Sequence, residues 1–251
     1  MTPPPSSTEA PNASSSSNAS STSNASNTPS APDAAAQAAL EWVRDGMKLG
    51  LGTGRAASAF VEALGERVAG GLRIVGVPTS ESTAELARRL SIPLATLEEE
   101  PELDITFDGA DEVDGELNLI KGYGAAMVRE KIVAASSKQL VILVGPEKIV
   151  QELGARGRLP IEVLPFGTEL VRRMLARRGI DVDLRVDSAG RTLVTDNGNW
   201  ILDAKLSPPL DTKDLEESLT RLPGVLGTGF FLGMADAVII GDGPSVETKR
   251  R

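Results

Sequence analysis

The sequence predicts an α/β protein: an open, mostly parallel sheet domain with a smaller α+β domain inserted late in the chain. Three observations carry this. From residue 47 to residue 144, short apolar runs alternate with helical stretches, and the runs are nearly continuous, as in strands covered by helices on both faces. Two of those runs end in ligand-friendly turns, Thr53–Ala56 and Asp108–Asp111, and open parallel sheets bind ligands at the C-terminal ends of their strands. Beyond Ala155 the strands follow hairpin order, with Asn197-Gly198 as the turn signal.

Residues 1–31 are Pro-, Ser-, Asn-, Thr- and Ala-rich, and the first basic residue is Arg44. Such a segment buries too little apolar surface to offset its conformational entropy and reads as a disordered tail. It has neither the apolar h-region of a secretory signal nor the Arg content of a transit peptide. The Asn-Ala-Ser triplets at Asn12, Asn18 and Asn24 read as chance matches to a glycosylation pattern in a Ser/Asn-rich tail.

Asp33 is placed to cap a helix over Ala34–Val43. A strand Met47–Leu51 runs into G-L-G-T-G-R-A-A and a helix Ala57–Val68. Strand, Gly-rich turn and helix is a setting in which backbone N–H groups hold phosphate. The dinucleotide fingerprint is excluded because Arg55 stands where its third Gly belongs, and a Walker loop because its Lys-Ser/Thr ending is missing. Leu72–Val77 reads as a strand, and P-T-S-E-S-T opens a helix to Leu90, with Thr79 or Ser80 as its cap. A strand through Leu103, Ile105 and Phe107, a run Leu117–Ile120, a helix Met127–Ala135 and a strand Leu140–Val144 complete the first domain. The second comprises strands Ile161–Leu164, Asp181–Val186, Thr192–Thr195, Trp200–Lys205 and Leu226–Phe231, with helices Thr168–Arg178 and Lys213–Arg221. Ala237–Ile240 supplies a strand that returns to the first sheet. The domains are therefore 32–154 with 232–251, and 155–231.

Composition narrows the chemistry. The 251 residues are 41% hydrophobic, enough for a core, and the net charge of −9 argues against nucleic acid or an anionic membrane as partner. There is no Cys and no His, so acid–base work falls to Asp, Glu, Lys or the single Tyr, and thiol catalysis is excluded. No apolar run reaches transmembrane length.

Those residue types concentrate in one stretch, Asp104–Lys131. Asp108-Gly109-Ala110-Asp111 is a tight turn with two carboxylates. Lys121 ends the next apolar run, Gly122-Tyr123-Gly124 follow, and Glu130 lies on the next helix. Two acids, a lysine and a helix-borne glutamate at the exits of ordered elements can move a proton beside a carbonyl while holding an oxyanion.

The motifs F-D-G-A-D-E-V-D, L-N-L-I-K-G-Y-G-A-A-M-V-R-E-K-I-V-A, L-P-I-E-V-L-P, V-T-D-N-G-N-W-I-L-D and L-P-G-V-L-G-T-G-F-F together resemble the type A ribose-5-phosphate isomerase family, over about residues 33–249. The resemblance implies interconversion of D-ribose 5-phosphate and D-ribulose 5-phosphate with no cofactor and no metal. It also implies an open, mostly parallel Rossmann-like sheet domain, an inserted ferredoxin-like α+β lid, a homodimer or homotetramer, and a cytoplasmic enzyme of the pentose phosphate pathway. Residue by residue, it puts the catalytic glutamate on Glu130, the acids of the D-G-A-D turn on Asp108 and Asp111, and the active-site lysine on Lys121. Substrate binding falls on Thr53, Gly54, Arg55 and Ala56, on Asp108, Gly109, Ala110 and Asp111, on Lys121, Gly122, Tyr123 and Gly124, and on Lys148. The chain departs from the family pattern in three places. Thr53-Gly54-Arg55-Ala56 replaces T-G-S-T, Tyr123 interrupts K-G-G-G, and a first-helix Lys has no counterpart near Pro32 and Asp33. The alternatives are a non-catalytic sugar-phosphate sensor, or another sugar-phosphate enzyme of related fold.

Overall fold

A computed structural model describes Met1 and residues 31–251 of the chain. The expectations for the tail lie outside the described residues. Helix α1 (Ala31–Leu40) is followed by strand β1 (Lys48–Leu51), helix α2 (Arg55–Ala69), β2 (Val75–Pro78), α3 (Glu81–Arg89) and β3 (Ile105–Asp108). Two short strands, β4 (Glu112–Val113) and β5 (Leu119–Ile120), lead to α4 (Met127–Ala135) and β6 (Leu140–Val144). Then come β7 (Arg158–Val163), α5 (Thr168–Ala176), β8 (Val182–Leu184), β9 (Trp200–Lys205), α6 (Thr212–Thr220) and β10 (Val225–Thr228). The chain closes with β11 (Phe230–Phe231), β12 (Ala237–Asp242) and β13 (Ser245–Arg250).

The main sheet has the order β13-β12-β6-β3-β1-β2, parallel throughout except for the β12–β13 hairpin. Every residue of β3 and β6 is buried, because both faces are covered. The strand period of two divides β6 between two cores. Val141 and Leu143 pack with α1 and α2, where Phe60 meets Phe107 at a centroid distance of 4.3 Å. Leu140, Ile142 and Val144 pack on the other side with Met127 and Ala134 of α4.

From β7 to β10 the chain runs strand, helix, strand, strand, helix, strand, and the sheet order is β10-β7-β9-β8, all antiparallel. This is the ferredoxin-like arrangement. Leu159, Ile161 and Val163 of β7 share a core with Val171 and Leu175 of α5 and Leu219 of α6. Glu162 is excluded from that core and is fully buried among polar groups. A three-stranded sheet, β11-β5-β4, completes the fold. Among the described residues, no helix is long and apolar enough to cross a membrane.

The structure corrects three local expectations and sharpens two others. Asp33 lies inside α1, which starts at Ala31, and not ahead of it. Thr192–Thr195 is not a strand; only a single bridge joins Val186 and Thr192, and the Thr195 hydroxyl bonds to Glu162. Leu226–Phe231 splits at Gly229, whose carbonyl accepts from Lys121 N and whose N–H donates to Pro160 O, so β10 and β11 belong to different sheets. Within the apolar run Leu117–Ile120 only Leu119–Ile120 forms a strand, and Leu117 sits in a turn at φ 59°. Ser80, not Thr79, caps α3, accepting from Thr83 N.

Candidate active site

Three neighbouring strands of the main sheet deliver three loops to one cavity of about 380 Å³. The β1 loop brings Thr53, Gly54, Arg55 and Ala56; the β3 loop brings Gly109, Ala110 and Asp111; the β6 loop brings Gly145, Glu147 and Lys148. Lys121, Gly122 and Gly124 after β5, and Glu130 in the first turn of α4, complete the lining.

Asp108, the last residue of β3, is 1% exposed and sits behind this lining. Its Oδ1 accepts from Thr53 N at 3.1 Å and from its neighbour Gly109 N at 2.7 Å. That approach requires Gly52, where a Cβ would lie 2.3 Å from Asp108 Oδ1 and 2.6 Å from its Cα. Gly54 has a different role: at φ 102° it turns the chain into α2, whose first turn carries no acidic side chain and no side-chain cap. The amides that open α2 are thus left for an anion.

Lys121 is the hub. Its ammonium is 3% exposed and lies 3.1 Å from Asp108 Oδ2 and 3.2 Å from Glu130 Oε2. Its hydrogen bond goes to the Gly109 carbonyl at 2.5 Å, so both carboxylate oxygens are within ion-pair range yet have no hydrogen-bond donor. A buried oxygen in this state calls for an explanation, and a catalytic role is one. Burial, then the Asp108 carboxylate, pushes the Glu130 carboxyl up to about 8, against the pull of Lys121. Burial likewise raises Asp108 in spite of Lys121. Burial alone would lower Lys121, but Asp108 and then Glu130 outweigh it and hold the ammonium charged above its ordinary range. A glutamate with a raised pKa beside a fixed cation is equipped for proton transfer near neutral pH.

Two sequence-predicted residues take unexpected positions. Tyr123 points away from the cavity: its hydroxyl donates to Arg158 O at 3.3 Å, and its ring lies 3.9 Å from the Arg158 guanidinium. Only its backbone serves the site, by donating from N to Asp111 Oδ2 at 2.9 Å. The Arg55 side chain is 78% exposed and faces Glu147 at 3.6 Å. One group of residues went unread as part of the site. Thr79, Ser80 and Thr83 surround the Thr53 hydroxyl at 2.7, 2.8 and 3.2 Å, forming a buried hydroxyl cluster behind the β1 loop. Its trace in the sequence is the hydroxyl density of P-T-S-E-S-T, the same stretch that caps α3.

The family model for ribose 5-phosphate isomerase A (phosphoriboisomerase A) matches residues 75–244. The chain is 50% identical over 214 residues to the ribose-5-phosphate isomerase A of Gloeobacter violaceus, covering 85% of this chain and 93% of that one. It superposes on ribose 5-phosphate isomerase A from Methanocaldococcus jannaschii with a TM-score of 0.83 at 38% identity, covering 88% of this chain and 98% of the other. A D-ribose-5-phosphate isomerase in complex with phospho-erythronic acid gives a TM-score of 0.84 at 38% identity, with 88% and 97% covered. With this fold, and with half of its sequence shared along nearly the whole length of such relatives, the chain belongs to the ribose 5-phosphate isomerase A family.

Proposed function

We propose that the chain interconverts D-ribose 5-phosphate and D-ribulose 5-phosphate by passing a proton between C1 and C2 through an enediolate, as a step of the pentose phosphate pathway. The observation that carries this is the buried triad Asp108–Lys121–Glu130, at 3.1 and 3.2 Å, beside a cavity whose exposed side carries Arg55 and Lys148. Glu130 takes the proton from one carbon and returns it to the other. Lys121 holds the oxygen that gains charge. Asp108 moves hydroxyl protons in ring opening and between O1 and O2, and Asp111, fixed by Tyr123 N, orients the sugar. The related isomerase that holds phospho-erythronic acid supports this reading, since the acid pairs a phosphate with a planar carbon bearing a negatively charged oxygen, and each reacting carbon of an enediolate is likewise planar and bears one oxygen.

The test is turnover of ribose 5-phosphate in deuterium oxide. The wild-type protein should convert it and place deuterium from solvent on the reacting carbon. Glu130→Gln should fold and bind substrate yet lose about 10²–10⁴-fold in kcat, the usual contribution of a positioned base. A variant keeping more than about a tenth of the activity removes Glu130 from that role.

At the phosphate end, Arg55, Lys148 and the opening amides of α2 hold the substrate. We read 32–154 with 232–251 as the catalytic domain and 155–231 as a lid. In support, every strand of the main sheet comes from the first set and every strand of the four-stranded sheet from the second. We further propose a cytoplasmic homodimer or homotetramer, to be checked by sedimentation velocity.

A further inference from the structure

The helix that carries Glu130 begins poorly anchored. Its N-cap is Ala126, which offers no side-chain bond, and Ala125 before it is in the left-handed region at φ 66°. A residue without glycine's freedom is held there only by its surroundings. What holds the start of α4 is therefore a question with chemical consequences, because a small rotation of this helix moves the Glu130 carboxylate.

The neighbouring side chain, Arg129, answers it. Its three guanidinium nitrogens make three hydrogen bonds, each 2.9 Å long: Nε to Asn197 Oδ1, Nη2 to Asp196 O and Nη1 to Glu81 Oε1. The first two acceptors lie in the turn of D-N-G-N. The third is the first residue of α3, and Asp196 Oδ2 also accepts from Glu81 N at 2.9 Å. The turn is itself secured from β7. Glu162, fully buried, accepts at one oxygen from Thr195 Oγ1 at 3.0 Å, Asn197 Nδ2 at 3.1 Å and Asn199 Nδ2 at 2.9 Å. Asn197 therefore joins the two grips, donating to Glu162 and accepting from Arg129. The chain thus has a rigid strut from the four-stranded sheet to the two helices that border the site. One of them carries Glu130, and the other opens at the hydroxyls of Thr79, Ser80 and Thr83 behind Thr53.

We propose that Glu162, Asn197 and Arg129 are positioning residues for the base: the D-N-G-N turn fixes the rotation of α4 and so keeps Glu130 against Lys121 and away from water. This rests on the assignment of Glu130 made above. A bland reading, in which the strut only adds stability, predicts different data. Among the described residues, the charged groups acting on Glu130 are Asp108, Lys121 and Asp111, and none of them belongs to the strut. Loosening the strut changes hydration around Glu130 and leaves those charges in place. The carboxyl then moves down from about 8 toward its ordinary 4.5.

The experiment compares the full-length wild type with Arg129→Gln, Arg129→Lys and Asn197→Ala. It measures kcat, KM for ribose 5-phosphate, the pH dependence of kcat/KM and the thermal midpoint. We expect Asn197→Ala and Arg129→Gln to lose about tenfold to a hundredfold in kcat, the scale of a displaced catalytic group, with KM nearly unchanged. The acid limb of their kcat/KM profiles should shift to lower pH. Arg129→Lys, which keeps the charge but not the planar fork, should fall between them and the wild type. Folded variants with a lower midpoint but a wild-type kcat and acid limb would reduce the strut to a staple and overturn the proposal, as would a change confined to KM. If Arg129→Gln fails to fold, Asn197→Ala at an exposed turn position decides alone. A wild-type protein that does not turn over ribose 5-phosphate would refute the functional reading instead, since the positioning test is a ratio to wild type.

Discussion

Arg55 and Glu147 face each other at 3.6 Å with side chains 78% and 50% exposed. Such a pair is worth about 0–1 kcal/mol, whereas a charged hydrogen bond to a bound phosphate is worth roughly 1.5–3 kcal/mol. On the proposed reading a phosphate draws Arg55 from Glu147, aided by the open amides of α2 and by Lys148. Arg55→Ser should raise KM for ribose 5-phosphate about tenfold and change kcat little, the pattern of a contact held equally in ground and transition states. Unchanged steady-state constants would leave phosphate recognition to the amides and the lysines. Glu130 makes a prediction about stability. Its carboxyl stands at about 8 in the folded chain against 4.5 ordinarily, so across that window the unfolded chain releases a proton that the folded one keeps. Stability from this group falls as pH rises from about 4.5 to about 8. Glu130→Gln escapes that loss, so its thermal midpoint should gain on the wild type between about pH 5 and pH 8. Calorimetry showing the same difference at both pH values would contradict the raised carboxyl.

At the scale of elements, the turn between β1 and α2 shows how a loop sets chemistry. Gly52→Ala puts a methyl group into the Asp108 backbone, 2.6 Å from its Cα, and a backbone cannot swing aside as a side-chain tip can. Overpacking of this kind costs about 1–3 kcal/mol. We expect kcat/KM to fall about a hundredfold as Asp108 and Lys121 shift. Wild-type kinetics would show that β1 and β3 can part without cost. The strands and helices around this turn were legible because each carries a strong local signal. Leu140–Val144 and Met127–Ala135 match the structure at both ends, and Trp200–Lys205 does as well. The errors arose where a distant partner overrides local preference. Thr192–Thr195 has strand composition, but Glu162, 33 residues before Thr195, claims its hydroxyl. Tyr123 lies in a site motif, but Arg158 and the neighbouring sheet take its ring. Asp108, Asp111, Lys121 and Glu130 could be found from residue type and spacing. The hydroxyls of Thr79, Ser80 and Thr83 show in the sequence only as the hydroxyl density of P-T-S-E-S-T, since their role depends on Thr53 lying beside them in space.

For the molecule as a whole, the decisive step is the return of the chain to the main sheet. β12 pairs with β6 and buries Val238 and Ile239 completely, while β13 outside it is exposed along its length. Cutting the chain before β12 leaves β6 as an open apolar edge, which sheet proteins avoid. Truncation after Met234 should give aggregated or unfolded protein, although every residue assigned to the reaction is still present. Truncation after Gly243 removes only β13, including the Arg250 guanidinium that lies 4.5 Å from the Trp42 ring, a contact worth about 0.5–1 kcal/mol. That shorter protein should remain folded and active. Circular dichroism and turnover of the two truncations distinguish these outcomes.

The ammonium of Lys121, clasped by two carboxylates, also protects the protein from its own substrate. An open-chain aldose is an aldehyde, and a free amine beside an aldehyde condenses with it to an imine. Only the unprotonated amine has the lone pair for that attack. Asp108 and Glu130 keep Lys121 charged above its ordinary range, so the group proposed to hold the oxyanion is withheld from covalent chemistry. The same sugar that glycates exposed lysines should therefore leave this one unmodified, and borohydride added during turnover should trap no adduct at Lys121.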